Sequence, residues 1–317
     1  MQDYDILVIG EINADLILAG DARPVFGQVE KVVDDATLTI GGSGTIFACG
    51  AARLGLRVGY CGVIGDDMFG RYMLDMLRQR QVDTTGVIVD RQLKTGLSVI
   101  LTADGDRAIL THLGAISALR ADQVDRRLLR RAHHVHVTSY FLQDALRPGL
   151  PHLLDEVRAA GATLSTDTNW DPAERWDDGL HEVLARCQVF LPNEQEALAI
   201  AGEGELTATL DRLARQTPIV AVKRGPLGAT CRHLGATLID PGFAVDVVDT
   251  TGAGDSFNAG FLYGFLHSWV PEETLALACA CGALSTRAAG GTDAQPTLDE
   301  ARTLIKQRGA NRPGATP

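Results

Sequence analysis

Val245-Asp246-Val247-Val248-Asp249-Thr250-Thr251-Gly252-Ala253-Gly254-Asp255-Ser256-Phe257-Asn258-Ala259-Gly260-Phe261 is the stretch on which the chain turns. Val245 to Val248 are mostly β-branched, which predicts a strand end. Thr250 to Gly254 carry little side-chain bulk, so the backbone there can turn sharply and approach a ligand closely. From Asp255 onward Phe257, Phe261, Leu262, Phe265 and Leu266 recur at helical spacing. The N–H groups of Gly252, Ala253 and Gly254 are expected to be free at the mouth of that helix, an anion site suited to a phosphate. Asp255 has two roles open to it. It can cap the helix, or it can act as a base that takes a proton from an alcohol while the loop holds a phosphoryl group.

A second glycine-rich loop lies upstream. Gly41-Gly42-Ser43-Gly44-Thr45 follows the alternating run Thr37-Leu38-Thr39-Ile40 and opens a small-residue helix from Ile46 to Leu54. It lacks the Lys-Ser/Thr pair of a P-loop. Asp5 to Gly10 is an apolar run ending in glycine, as in a buried parallel strand. The next glycine is at position 20, so the dinucleotide fingerprint is absent. Asn13 and Asp15 sit two apart and would share one face of an extended segment. An amide beside a carboxylate can grip adjacent hydroxyls; turn chemistry is the plainer alternative.

Asp249 to Phe261 resembles the C-terminal motif of the PfkB (ribokinase-like) carbohydrate kinases, and Gly41-Gly42 resembles their N-terminal motif. The resemblance runs from about residue 5 to residue 305. It implies an α/β chain with a three-layer α/β/α ribokinase-like fold, a mainly parallel central sheet and a small β-sheet lid. One domain would cover residues 1–308, with lid segments at about 12–20, 34–40 and 95–113. Asp104-Gly105 between two alternating runs is itself a hairpin signal. Residues 309–317 read as a disordered tail by composition.

The same resemblance distributes roles. Asp255 becomes the catalytic base, and Gly252, Ala253 and Gly254 the anion hole. Asn13, Asp15, Gly41, Gly42, Ser43, Thr45, Asp167 and Asn169 would hold the substrate. Asn193 would lie near the nucleotide phosphates, and Glu196 would orient water around Mg²⁺. Lys223 would reach the polyphosphate beside the turn Gly225 to Gly228, and Ala278 would wall the adenine pocket. Asp249 and Thr251, with carbonyls of the loop 290–297, would hold a monovalent cation such as K⁺. ATP and Mg²⁺ are the implied cofactors, and a homodimer through the lid is the implied assembly.

Plainer readings stand beside several of these. Asn193-x-x-Glu196 is also a capping pattern, Lys223-Arg224 a surface basic pair, and Asp167 to Asn169 a solvated loop. Asp66-Asp67 ahead of an amphipathic run reads as a cap. His133, His134 and His136 invite a metal, but no carboxylate or cysteine completes a cage nearby, so they read as core or strand-edge residues.

Bulk properties narrow the class. The chain has 317 residues and a net charge of −11, from 40 acids against 29 bases, which argues against nucleic acid or an anionic membrane as partner. No apolar run approaches the ~20 residues of a membrane span. Met1 to Asp5 is acidic and leads straight into a strand, unlike a signal peptide. The six cysteines form no C-x-x-C pair, as expected of reduced thiols in the cytoplasm. The reading is an ATP-dependent kinase acting on a hydroxymethyl group of a small non-phosphorylated sugar or sugar acid. The opening Asn-Pro-Ala of the family's phosphosugar kinases is absent. A nucleoside kinase of the same fold is the alternative, and a non-catalytic sugar or nucleotide sensor the alternative from another class.

Overall fold

Tyr4–Ile9 is almost wholly apolar, and in a computed structural model of the chain it becomes β1, buried on both faces. The structure describes residues 3–104 and 106–310. The thirteen strands in chain order are β1 (Tyr4–Ile9), β2 (Asn13–Ala19), β3 (Asp35–Gly41), β4 (Val58–Gly65), β5 (Val82–Asp90), β6 (Gly96–Ala103), β7 (Asp106–His112), β8 (Ala132–Val137), β9 (Thr163–Thr166), β10 (Val189–Phe190), β11 (Ile219–Lys223), β12 (Ala229–His233) and β13 (Ala236–Asp240). They form a 9-stranded sheet in the order β13-β12-β11-β10-β9-β8-β1-β4-β5 and a 4-stranded sheet in the order β3-β2-β6-β7. From β11 to β5 the large sheet is parallel; β12 and β13 are added antiparallel at the β11 edge.

Strand alternation builds two cores. Ile6 and Val8 of β1 point into one with Phe47, Phe257 and Phe261, while Leu7 and Ile9 point into the other with Val135, Leu153 and Phe190. Helices such as Ser43–Arg53, Ala253–Leu266 and Pro271–Ser285 cover the first face, and Leu150–Ala159 covers the second. Hence the large sheet reads as continuous apolar runs, with helices on both sides.

The small sheet is the lid. Asn13 pairs with Gly41 on one side and Gly96 on the other, so β3 and β6 flank β2. β6 and β7 form the expected hairpin, with Ala103 opposite Asp106; Gly105 at its turn lies outside the described residues. Every residue of β7 is exposed.

Two expectations need correction. Val245 to Val248 form no strand; Val247 and Val248 are exposed, and the backbone is held by Val248 N–H and Asp249 N–H donating to the Thr286 carbonyl (2.8 and 3.1 Å). With no sheet partner in reach, β-propensity alone does not make a strand. The final helix runs Leu298–Ala310, past the expected tail start at Gly309. The rest of that tail, 311–317, lies outside the described residues. The reading of the histidines as core or strand-edge residues holds for His134 and His136: both are buried, and their rings bond to Ser165 and Thr163 of the neighbouring strand.

Candidate active site

The helix Ala253–Leu266 starts at Gly252, whose φ of 71° is the left-handed conformation that glycine adopts without strain. Ala253 N–H turns back onto the Thr250 carbonyl (3.2 Å), so it is not free as expected. The amides of Gly252, Gly254 and Asp255 have no protein acceptor among the described residues. Those three donors face the anion position at a positive helix end.

Asp255 stands beside them at the foot of a cleft of about 380 Å³. Ser43, at the start of the helix Ser43–Arg53, donates to Asp255 Oδ1 at 2.5 Å. Burial, then repulsion from Asp167, push the Asp255 carboxyl from 3.8 up to about 7, against the pull of the Ser43 hydroxyl and the Lys223 ammonium. The side chain makes no capping bond to its own helix. A second depression of about 400 Å³, at Arg78 and Gln81 to Thr85, holds none of the motif residues.

Polar groups from both sheets gather near Ser43; of these, Asp167 and Asn169 line the cleft. Asn13 Nδ2 donates to Asp15 Oδ1 (3.0 Å), both side chains being buried at the start of β2. Burial raises the Asp15 carboxyl to about 7. Gly41 and Gly42 lie directly against these two side chains; any Cβ at Gly41 would overlap the Asp15 carboxyl. Thr45 is fully buried, and its hydroxyl bonds the carbonyls of Gly41 and Gly42, so it shapes the loop instead of meeting a ligand. Asp167, at the end of β9, accepts from Ser139 N–H (2.8 Å) and Asn258 Nδ2 (2.8 Å). Asn169 donates to Ser139 Oγ (3.0 Å) and reaches the same cleft.

Another part of the cleft wall is built at the end of β11. Lys223 Nζ bonds Asn258 Oδ1 (3.3 Å), and a Cβ on Gly254 would stand 3.6 Å from that nitrogen. The ammonium therefore sits over the free amides. Gly225 borders the cleft, whereas buried Gly228 packs against the end of β13, where no side chain fits. Asn193 and Glu196 make the reciprocal capping box: Asn193 Oδ1 accepts from Glu196 N–H (2.8 Å) and Glu196 Oε2 accepts from Asn193 N–H (2.9 Å). Both residues also line the cleft. Burial raises the Glu196 carboxyl, and Lys223 pulls it back down. Ala278 does not join them. It is fully buried where Gly260 packs on the helix Pro271–Ser285, and belongs to the helix–helix seam.

Sequence reasoning passed over two residues. Glu11 is buried behind the Gly41–Gly44 loop, accepting from Gly44 N–H (3.1 Å), Ser139 Oγ (2.8 Å) and Thr138 Oγ1 (3.0 Å). A lone acid between Gly10 and Asn13 gives no pattern to catch. Arg107, on the exposed lid strand β7, reaches the cleft, where its Nη1 donates to Thr251 Oγ1 (2.6 Å) and lies 3.4 Å from Asp249 Oδ1. Asp249 in turn accepts from Thr251 N–H (2.9 Å) and Gly290 N–H (2.9 Å).

An acid tuned near neutrality, an array of backbone donors and an ammonium at one end of a sugar-sized cleft define a phosphotransferase of ribokinase-like architecture. A family model described as pfkB family carbohydrate kinase matches residues 3–298, and the chain belongs to that family. Among curated proteins it is 33% identical over 306 residues to the ATP-dependent ribose-1-phosphate kinase of Halopiger xanaduensis, covering 96% of this chain and 98% of that one. Among solved structures, an E. coli protein described as a ribokinase II, in complex with ATP and Mg²⁺, superposes with a TM-score of 0.86 at 26% identity, covering 96% of this chain and 99% of that one. A fructokinase double mutant from Vibrio cholerae O395, bound to fructose, ADP and a potassium ion, superposes with a TM-score of 0.81 at 25% identity, covering 96% and 100%.

Proposed function

We propose that this carbohydrate kinase transfers the γ-phosphoryl group of ATP to a hydroxymethyl group of a small sugar or sugar acid, with Asp255 as the base. The observation that carries the reading is the position of Asp255: its carboxyl lines the cleft next to the unpartnered amides of Gly252 and Gly254. A carboxyl near pH 7 is ionised often enough to accept a proton and basic enough to pull it. Ser43 occupies Oδ1, which leaves Oδ2 for the substrate hydroxyl. Asn13, Asp15 and Asn169 grip the remaining hydroxyls. Lys223 and the free amides take the charge that builds on the transferring group.

The described residues include no cluster of three or more histidines, cysteines and acids able to cage a metal. Mg²⁺ keeps several waters and binds through few carboxylates. Glu196, buried at the cleft wall, would orient such waters. Bound there, Mg²⁺ would offset charge on the triphosphate oxygens.

A nucleoside acceptor would call for an aromatic wall, and none of the side chains lining the cleft is aromatic. A sensor would have no use for a carboxyl tuned to about 7 at an anion site. The six buried free cysteines favour a reducing, cytoplasmic setting. The lid's outer strand, with Ile109 and Leu110 exposed, favours pairing of two lids in a dimer.

The test is release of ADP from ATP against a panel of neutral sugars, sugar acids, phosphosugars and nucleosides. Turnover with a sugar or sugar acid supports the reading. Turnover with nucleosides alone, or with nothing, removes it.

A further inference from the structure

Asp249 and Thr251 form the corner from which the anion hole starts. One carboxylate, Asp249, ties three segments together there. Its Oδ1 takes the Thr251 N–H and hydroxyl (2.9 and 2.8 Å), its Oδ2 takes Gly290 N–H (2.9 Å), and the lid arrives through Arg107. Thr251 is followed directly by Gly252, so whatever fixes this corner fixes the direction of the free amides after it. A carboxylate so placed calls for a nearby positive charge.

The resemblance assigns that charge to a monovalent cation held by Asp249, Thr251 and carbonyls of the 290–297 loop. The donor set does not fit that assignment here. Two side-chain oxygens of the residues in that set, Thr251 Oγ1 and Asp249 Oδ1, already face the Arg107 guanidinium. A second positive charge between them would stand within a few ångströms of the first and be repelled by it.

We propose that Arg107 supplies, from the lid, the positive charge that a monovalent cation would otherwise supply at the Asp249–Thr251 corner, so that the kinase needs no K⁺. Arg107 acts through Thr251 and Asp249 and is a positioning residue. It belongs to β7 and not to the motif, so the charge reaches the corner only when the lid lies over the cleft. Lid position and order in the anion hole are then one event. The inference rests on the kinase reading, but its test includes an arm that requires no turnover.

Wild type, Arg107→Ala and Arg107→Gln are assayed by ADP release at fixed ionic strength in potassium, sodium and tetramethylammonium chloride. Melting temperatures are taken in the same three salts. Arg107 is exposed on an edge strand, so both variants should keep the fold. The wild type is expected to turn over and melt identically in all three. Arg107→Ala is expected to lose about tenfold or more in kcat in tetramethylammonium, the loss of one charge-assisted contact. Potassium should restore most of that loss and raise the variant's melting temperature above its tetramethylammonium value. A wild type activated by K⁺ overturns the proposal. So does an Arg107→Ala variant that is fully active in tetramethylammonium, or one that K⁺ neither rescues nor stabilises. A KM rise confined to anionic acceptors and insensitive to K⁺ would make Arg107 a substrate reader, and also overturns it. If no acceptor turns over at all, the functional reading fails, and the melting arm still decides whether a cation binds where Arg107 has been removed.

Discussion

Ser43 and Asp255, 212 residues apart in sequence, meet in a hydrogen bond of 2.5 Å, hydroxyl to Oδ1, where the two glycine-rich loops converge. One loop ends lid strand β3 and the other opens the helix Ala253–Leu266, so on the proposed kinase reading the bond joins the sugar half of the site to the phosphoryl half. A hydroxyl donating to a carboxylate favours its charged form. Removing it in Ser43→Ala should therefore raise the Asp255 pKa. The acidic limb of the kcat/KM profile should then move to higher pH. A pH–rate series on the two proteins checks this, and a limb that stays in place would count against Asp255 as the titrating base.

Asp255→Asn keeps the shape of the side chain and removes its basicity. kcat should fall by at least about 100-fold, the lower range for loss of a general base. The affinity for ATP should change little, because the amides and Lys223 are untouched. Steady-state kinetics with direct nucleotide binding separates the two effects, and turnover close to wild type would withdraw the assignment.

The same substitution should stabilise the protein at alkaline pH. Burial and Asp167 raise the folded-state pKa of Asp255 from 3.8 to about 7, so the folded chain keeps a proton that the unfolded chain has lost. The stability tied to that proton is fully present below pH 3.8 and is lost as pH rises through about 7. Above that pH the wild type holds a charge near Asp167 and Glu11, and Asp255→Asn does not. Melting temperatures should favour the variant at pH 8, and its advantage should shrink toward pH 5. A pH-independent difference would contradict the shifted pKa.

How much of this was legible in the chain varies by layer. Ile6 to Ile9 announced a strand buried on both faces because both faces are covered, and the Gly-rich loops announced close backbone approach. Asn13 and Asp15 could be paired from spacing alone, since a strand repeats every second residue. Arg107 could not. Its partners Asp249 and Thr251 are 142 and 144 residues away, and an arginine on an exposed strand resembles any solvated charge until the lid folds over. Glu11 was hidden for the opposite reason: its partners are Gly44 at a helix start and Thr138 and Ser139 after β8, two segments that only the finished sheet brings together. Val245 to Val248 misled because propensity says nothing about whether a neighbouring strand exists.

Lys223→Met keeps the alkyl stem and removes the charge over the anion hole. KM for ATP should rise about tenfold or more, the worth of one charge-assisted contact to phosphate. Lys223 also lowers the Asp255 pKa, so the acidic limb of kcat/KM should shift upward in this variant as it does in Ser43→Ala. A variant with unchanged nucleotide KM would return Lys223 to the status of a surface base.

Gly41→Ala separates the two halves of the site. Gly41 carries no positive φ, so alanine meets no backbone strain there. The added methyl would instead overlap the Asp15 carboxyl, with Oδ2 at 2.7 Å, and displace it from the sugar end. A displacement of about 1 Å at a positioning group can cost on the order of 100-fold in kcat/KM. That loss should fall on the acceptor, while ATP binding near Lys223 and Gly254 stays intact. Gly252→Ala is the contrasting case. Its φ of 71° strains any side chain, and a Cβ would stand 2.7 Å from Ile46 Cγ2 and 2.9 Å from Gly291 Cα. That variant should lose stability by about 1–3 kcal/mol and lose the phosphoryl site with it. Acceptor titrations at saturating ATP, paired with nucleotide binding and thermal melts, distinguish the two. Equal damage to acceptor and nucleotide binding in Gly41→Ala would mean that the halves are not built independently.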